Sequence, residues 1–284
     1  MRSPVLRAAQ LVQICTLGVG LLSAGCTRGP TVTVDPTALP PESAAAPVCV
    51  WNQAYQENYQ PDSVSEMLAR AQGCYTLIDP FEDPAAQAAI NDLKAADNTV
   101  ACYISVGTCE DWRDDYNAIR GYCTTKEWGE WKGEYFVDDV QGILPHMQAR
   151  VETLADWGCD MVEFDNMDWA DEAEKYRLNV TLEQSVDYYQ ALCDTVHAAG
   201  MGCMAKSTRH EASNFDGGTF ESSPNDLDWW QHDHLQSFVD QGQLAIIFHY
   251  DEPNCDDVTL WYRQRYGAGL SVLCEDPAAR GYRH

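Results

Sequence analysis

A strand, a loop and a helix recur about eight times over roughly 230 residues, the rhythm of an α/β fold closed into a (β/α)8 barrel as one domain. The strands are short, near-continuous apolar runs, as expected where helices cover one face and a packed interior the other. Polar residues gather at their C-terminal ends, where barrel strands present chemistry: Asp79, Ser105 with Glu110, Asp165, Lys206, Glu221 and Tyr250. An open doubly wound sheet is the alternative. No Gly-x-Gly-x-x-Gly follows a strand and no Gly-Lys-Ser/Thr occurs, so nucleotide binding lacks support.

The elements follow in order. Val48–Trp51 reads as a first strand, and Val64–Gln72 as a helix stopped by Gly73. Cys74–Asp79 is a strand ended by Pro80. Pro84–Ala95 has apolar residues at helical spacing. Thr99–Gly107 is a strand running into Cys109-Glu-Asp-Trp-Arg113. Val140–Trp157 is a helix closed by Gly158, and the next strand ends in Glu163, Asp165, Asn166 and Asp168. Leu182–Ala199 is a long helix with Thr181 and Gln184 as a capping box and Gly200 as its stop. Gly202–Lys206 is a strand, and Asn214–Glu221 a short irregular one with glycines. Leu235–Gln241 is a helix, Leu244–Tyr250 a buried strand, Val258–Tyr266 a last helix and Leu270–Leu273 a last strand.

The N-terminal stretch carries an address. Arg2 and Arg7 precede an apolar stretch, Leu11–Leu22, too short and interrupted to span a bilayer. Leu22-Ser-Ala-Gly-Cys26 resembles a lipoprotein cleavage box, so residues 1–26 read as a leader and Cys26 as a lipidation site. Ordinary cleavage with secretion is the alternative, because the leucine stands one position farther from the cysteine than usual. Residues 27–47, rich in Thr, Pro and Ala, read as a disordered tether, and 48–284 as the folded domain.

The net charge of −26 disfavours nucleic acid and favours a cationic partner. Solubility alone also accounts for such acidity. Of 12 cysteines, Cys15 and Cys26 belong to the leader region, which leaves an even set suited to disulfides in an exported protein. Cys255 with Cys274 is one plausible pair. No Cys-x2-Cys occurs, so no metal and no cofactor is expected.

Glu163 and Asp165 are two apart on a strand and leave the same face. Two close carboxylates suit acid/base work, and an acidic helix cap is the structural alternative. Asp165 and Glu221 come from different strand ends, as the two carboxylates of a glycosidase do. Trp112, Trp128, Trp131, Tyr135, Trp169, Trp229 and Trp230 offer flat faces for sugar rings, with ordinary packing as the other use. His232 and His234 signal a metal only weakly, and no Gly-x-Ser-x-Gly supports a serine nucleophile.

Several stretches resemble glycoside hydrolase family 114, the endo-α-1,4-polygalactosaminidase family of TIM-barrel fold, over residues 48–275. Cys102-Tyr-Ile-Ser-Val-Gly-Thr-Cys-Glu110-Asp-Trp-Arg113 is close to the family's Cys-Tyr-x-Ser-x-Gly-x-x-Glu-x-Trp-Arg. Trp131-Lys-Gly-Glu134 and Met161-Val-Glu-Phe-Asp165-Asn166-Met-Asp168 follow in matching order, with Lys206 at the family's Leu-Lys-Asn lysine. Phe215-Asp216 precedes Glu221 at the family's interval. The resemblance implies Asp165 and Glu221 as catalytic carboxylates, with Asp79, Glu110, Arg113, Asn166, Asp168, Lys206 and Tyr250 lining the sugar subsites; Trp112 and Glu163 are expected to bind substrate as well. It implies a cationic amino-sugar polysaccharide as partner. The sequence departs from the family at Phe164, Ser207, Ser222-Ser223 and His249, where Pro, Asn, Gln-Cys and Glu are usual. These departures keep open a non-catalytic carbohydrate-binding protein on the same barrel. A metal-dependent hydrolase such as a de-N-acetylase is a third reading.

Overall fold

The structure is a computed structural model that describes residues 33–40, 45–55, 61–128, 131–207, 214–224, 227, 232–250, 255–276 and 281–283. The leader, Cys26, Trp229 and Trp230 lie outside these residues, as does the side chain of His232.

Eight parallel strands form a nearly closed barrel, as the strand rhythm predicts. They are β1 (Val50–Asn52), β2 (Tyr75–Ile78), β3 (Thr99–Ser105), β7 (Met161–Asp165), β8 (Gly202–Lys206), β9 (Gly217–Ser222), β10 (Leu244–His249) and β11 (Ser271–Asp276), paired in that order. At the seam, Val48 N donates to Ser271 Oγ at 2.9 Å. The remaining strands are β4 (Thr108–Glu110), β5 (Cys123–Trp128) and β6 (Trp131–Val137), an antiparallel sheet after β3, and β12 (Gly281–Arg283), antiparallel to β11.

Alternation sorts the strand residues into two cores. Tyr75, Leu77, Ala101, Tyr103, Met204, Ile246, Phe248 and Leu273 fill the barrel. Ile78, Cys102, Ile104, Val162, Phe164, Cys203, Ala205, Phe220 and Ile247 face the helices. The helices are α1 (Pro61–Arg70), α2 (Pro84–Ala95), α3 (Tyr116–Ile119), α4 (Val140–Trp157), α5 (Ala173–Tyr176), α6 (Leu182–Ala198), α7 (His232–Asp240) and α8 (Cys255–Tyr266). Local chemistry sets their ends. Asp83 caps α2 beside Pro84, Asp139 caps α4, and Gly158 ends α4 at φ 94°. The Thr181–Gln184 capping box starts α6 as the sequence predicts.

All ten cysteines of the described chain pair. Cys49–Cys74 joins the starts of β1 and β2, and Cys102–Cys159 ties β3 to the turn before β7. Cys109–Cys123 clamps the antiparallel sheet, Cys193–Cys203 joins α6 to β8, and Cys255–Cys274 joins α8 to β11. Within the segment expected as a disordered tether, residues 36 and 37 form a turn. Asp35 Oδ1 accepts from the backbone and hydroxyl of Thr37, and Gln264 on α8 donates to the carbonyl of Ala38 at 2.9 Å.

Candidate active site

Three neighbouring strands end in the three charged groups of the site: Asp165 on β7, Lys206 on β8 and Glu221 on β9. In register Lys206 stands opposite Thr219, two residues before Glu221 on β9, and Phe248 on β10 stands opposite Glu221. The Lys206 ammonium lies between the two acids, 2.9 Å from Asp165 Oδ1 and 3.0 Å from Glu221 Oε2. Burial alone would pull this ammonium down, but the adjacent Asp165 and Glu221 override that and push it up, so it stays charged.

The other oxygens are held too. The Tyr103 hydroxyl donates to Asp165 Oδ2 at 2.6 Å, and the Asn166 backbone N–H donates to Oδ1 at 2.6 Å. Burial first, and then the charge of Asp165, pushes the Tyr103 phenol up, so it remains a donor. Tyr250 donates to Glu221 Oε1. Behind them, Tyr262 on α8 donates to Ser222 Oγ, which lies 2.6 Å from His249 Nδ1. That buried chain fastens the ends of β9 and β10, from which Glu221 and Tyr250 project.

Asn166 follows β7 at φ 58°, a conformation Asn tolerates better than most side chains. Its Nδ2 faces Ser105 Oγ, Thr108 Oγ1 and Glu134 Oε2 at 2.9–3.2 Å. Gly107 makes this approach possible, since a Cβ there would lie 1.9 Å from the Asn166 carbonyl oxygen. The β4–β6 sheet thus buttresses the residue next to Asp165.

Several residues expected to touch sugar stand behind the site. Arg113 pairs with Asp79 at 2.7 Å and with Glu110 at 2.7 Å, and all three are buried, which leaves little surface for a ligand. The guanidinium lies over Tyr103, 5.9 Å from the ring centroid, and 6.0 Å from that of Trp112, so the cluster supports the tyrosine that bonds Asp165. Glu163 does share a face with Asp165, but it is 0% exposed. Tyr55 donates to one of its oxygens, and Thr219 to the other at 2.7 Å. Desolvation raises its acid to about 7, against those bonds and Lys206, which lower it. Trp169 is no sugar platform: it is fully buried and donates to the Val137 carbonyl at 2.9 Å. Trp112 and Asp168 are half-buried, whereas Trp131 is exposed. Tyr55 and Thr219 had no signal in the sequence. Tyr103 had one, because it alternates with Ser105 along β3.

Two carboxylates and an ammonium at the mouth of a barrel can perform acid/base and nucleophilic work on a glycosidic bond. Residues 42–283 match the model of glycoside hydrolase family GH114. The chain belongs to glycoside hydrolase family GH114. Among solved structures it is similar to Aspergillus fumigatus Ega3 in complex with galactosamine, at 19% identity over 84% of this chain and 94% of that one, with a TM-score of 0.59. It is also similar to the glycoside hydrolase domain of Pseudomonas aeruginosa PelA, at 16% identity over 84% and 97%, with a TM-score of 0.56. At such identity these two likenesses establish the barrel fold of this GH114 chain. No curated protein matches it.

Proposed function

We propose that this GH114 chain cleaves α-1,4-linked, galactosamine-containing polysaccharide internally by double displacement, with Asp165 and Glu221 as its two carboxylates. The observation that carries the reading is the Lys206 ammonium within 3.0 Å of an oxygen on each acid. Those oxygens are therefore less than about 6 Å apart, a separation that suits a nucleophile with an acid/base partner and leaves little room for a water between them.

Asp165 is the nucleophile. Tyr103, Asn166 and Lys206 fix both of its oxygens, so its attack on the anomeric carbon costs little reorganisation. Glu221 is the acid/base: its side chain is 28% exposed against 13% for Asp165, which suits a group that meets the leaving oxygen and then a water. Glu221 first gives a proton to the departing sugar oxygen as the Asp165–sugar bond forms. It then takes a proton from the water that breaks that bond. We infer that the half-buried Asp168, Trp112 and Tyr250 contribute to the sugar subsites.

The substrate class rests on charge and on a relative. A net charge of −26 favours a polymer bearing protonated amines, and Ega3 was solved with galactosamine. We also infer export of the chain, with lipid attachment at Cys26 and the segment 27–47 as a spacer. No described helix is long and apolar enough to cross a membrane. The test is reducing-end release from de-N-acetylated galactosaminan by the wild type, Asp165→Asn and Glu221→Gln. Each variant should lose roughly 1,000-fold or more while remaining folded. Full activity in either would remove its residue from the assignment, and binding without cleavage by the wild type would favour a carbohydrate-binding protein.

A further inference from the structure

We propose that Glu163 and Tyr55 are positioning residues that seat the Lys206 ammonium between the two reacting carboxylates. Glu163 lies two residues below Asp165 on β7, inside the barrel and away from solvent. Tyr55 comes from the segment after β1, where its backbone N–H donates to Asn52 Oδ1 at 3.2 Å. Its hydroxyl is fixed on Glu163, and its ring is packed edge-on against Phe248 and Tyr103, with centroids 5.4 Å and 6.3 Å away. The face of that ring lies 4.1 Å from Lys206 Nζ. Lysine has a long side chain with several rotors, so an ammonium that must touch two acids at once needs a floor. The tyrosine ring supplies that floor, and Glu163 with its neighbours keeps the ring from swinging.

The groups around Glu163 come from several strands, with Tyr103 on β3 opposite it in register. Tyr55 follows β1, and Tyr75 on β2 donates to it at 3.3 Å. Asp165 is above it on β7, and Lys206 and Thr219 approach from β8 and β9. An apolar residue at position 163 would leave the Tyr55 and Thr219 hydroxyls without this acceptor. The carboxyl also connects the seat to pH, because desolvation raises it to about 7 and its charge acts on Lys206.

The kinetic part of the test rests on the proposed function, and a chemical part does not. Reductive methylation with formaldehyde, mapped by mass spectrometry, reads how well each ammonium is seated. In the folded wild type, Lys206 should label slowly and the exposed Lys132 quickly. Tyr55→Leu and Glu163→Gln should speed labelling of Lys206 roughly fivefold, the size expected when a desolvated cation–π contact is lost or loosened, with Lys132 unchanged. Tyr55→Phe keeps the ring and loses the Glu163 bond, so it should fall between. An unchanged Lys206 rate in Tyr55→Leu overturns the proposal. With galactosaminan as substrate, Glu163→Gln should lower kcat while KM stays within about twofold, and should shift the limb of the pH profile nearest neutrality. A lower thermal midpoint with an unmoved pH profile would mean a merely structural role and would also overturn it. If the wild type cleaves nothing, the proposed function fails and the labelling alone decides.

Discussion

Lys206→Met keeps most of the side-chain length and removes the charge. In the native site the ammonium touches Asp165 Oδ1 at 2.9 Å and Glu221 Oε2 at 3.0 Å. Without it, two carboxylates face each other across about 6 Å, and at an effective dielectric of about 20 their repulsion is roughly 3 kcal/mol. That corresponds to about two pH units in the proton affinity of the pair, which titrates as a unit. The acid-side limb of the rate profile should therefore move up by about two units, and the rate at the wild-type optimum should fall roughly 100-fold. The assay is reducing-end release from de-N-acetylated galactosaminan, measured between about pH 4 and 9 with circular dichroism to confirm the fold. A variant whose limb coincides with that of the wild type would refute the claim that this ammonium governs the charge of the two acids.

Stability should depend on pH through two buried groups that oppose each other. Glu163 is raised from 4.5 to about 7, so its stabilising neutral form is fully present below about 4.5 and lost as pH rises through 7, at a cost of about 3 kcal/mol. His249, lowered by burial from 6.5 to about 4, is neutral in the fold and loses stability as pH falls from 6.5 through 4, by about 3 kcal/mol. Urea midpoints should therefore rise with pH in Glu163→Gln and fall with pH in His249→Asn; slopes of the same sign would contradict this. Replacing Cys109 and Cys123 by alanine opens a link of sequence separation 14 and should cost about 3 kcal/mol in urea unfolding. Activity should fall as well, because the clamped sheet carries Thr108 and Glu134 to Asn166. Gly107→Ala drives a Cβ into the Asn166 carbonyl and should cost about 1–3 kcal/mol, with a larger loss of kcat than of stability; unaltered kcat would show that Asn166 does not align Asp165.

What could be read from the sequence was what depends on local chemistry. Apolar runs, Gly158 and the Thr181–Gln184 box gave the barrel strands and helix ends because each acts within a few residues. The β5–β6 hairpin gave no such signal: Cys123-Thr-Thr-Lys-Glu-Trp128 is polar, half exposed and irregular in register. Acids at strand ends were visible, but their burial was not. Asp79 and Glu110 look like ligands until Arg113 folds between them. Trp169 sits among acids in the chain, yet the turn after β7 tucks it under Tyr188 and Tyr189. An even cysteine count signalled disulfides, while their pairing depends on which strand lies beside which helix. Tyr55 has no periodic neighbour, and its role exists only where the ends of β1, β7 and β8 meet.

The most direct test is proton NMR of the reducing ends released in the first minutes of galactosaminan cleavage. Two acids sharing one ammonium should act by double displacement, so the α anomer should appear first and the β anomer grow in as the sugar mutarotates. Initial release of the β anomer would mean that a water attacks directly, and that Asp165 and Glu221 do not work at the separation their bridge to Lys206 imposes.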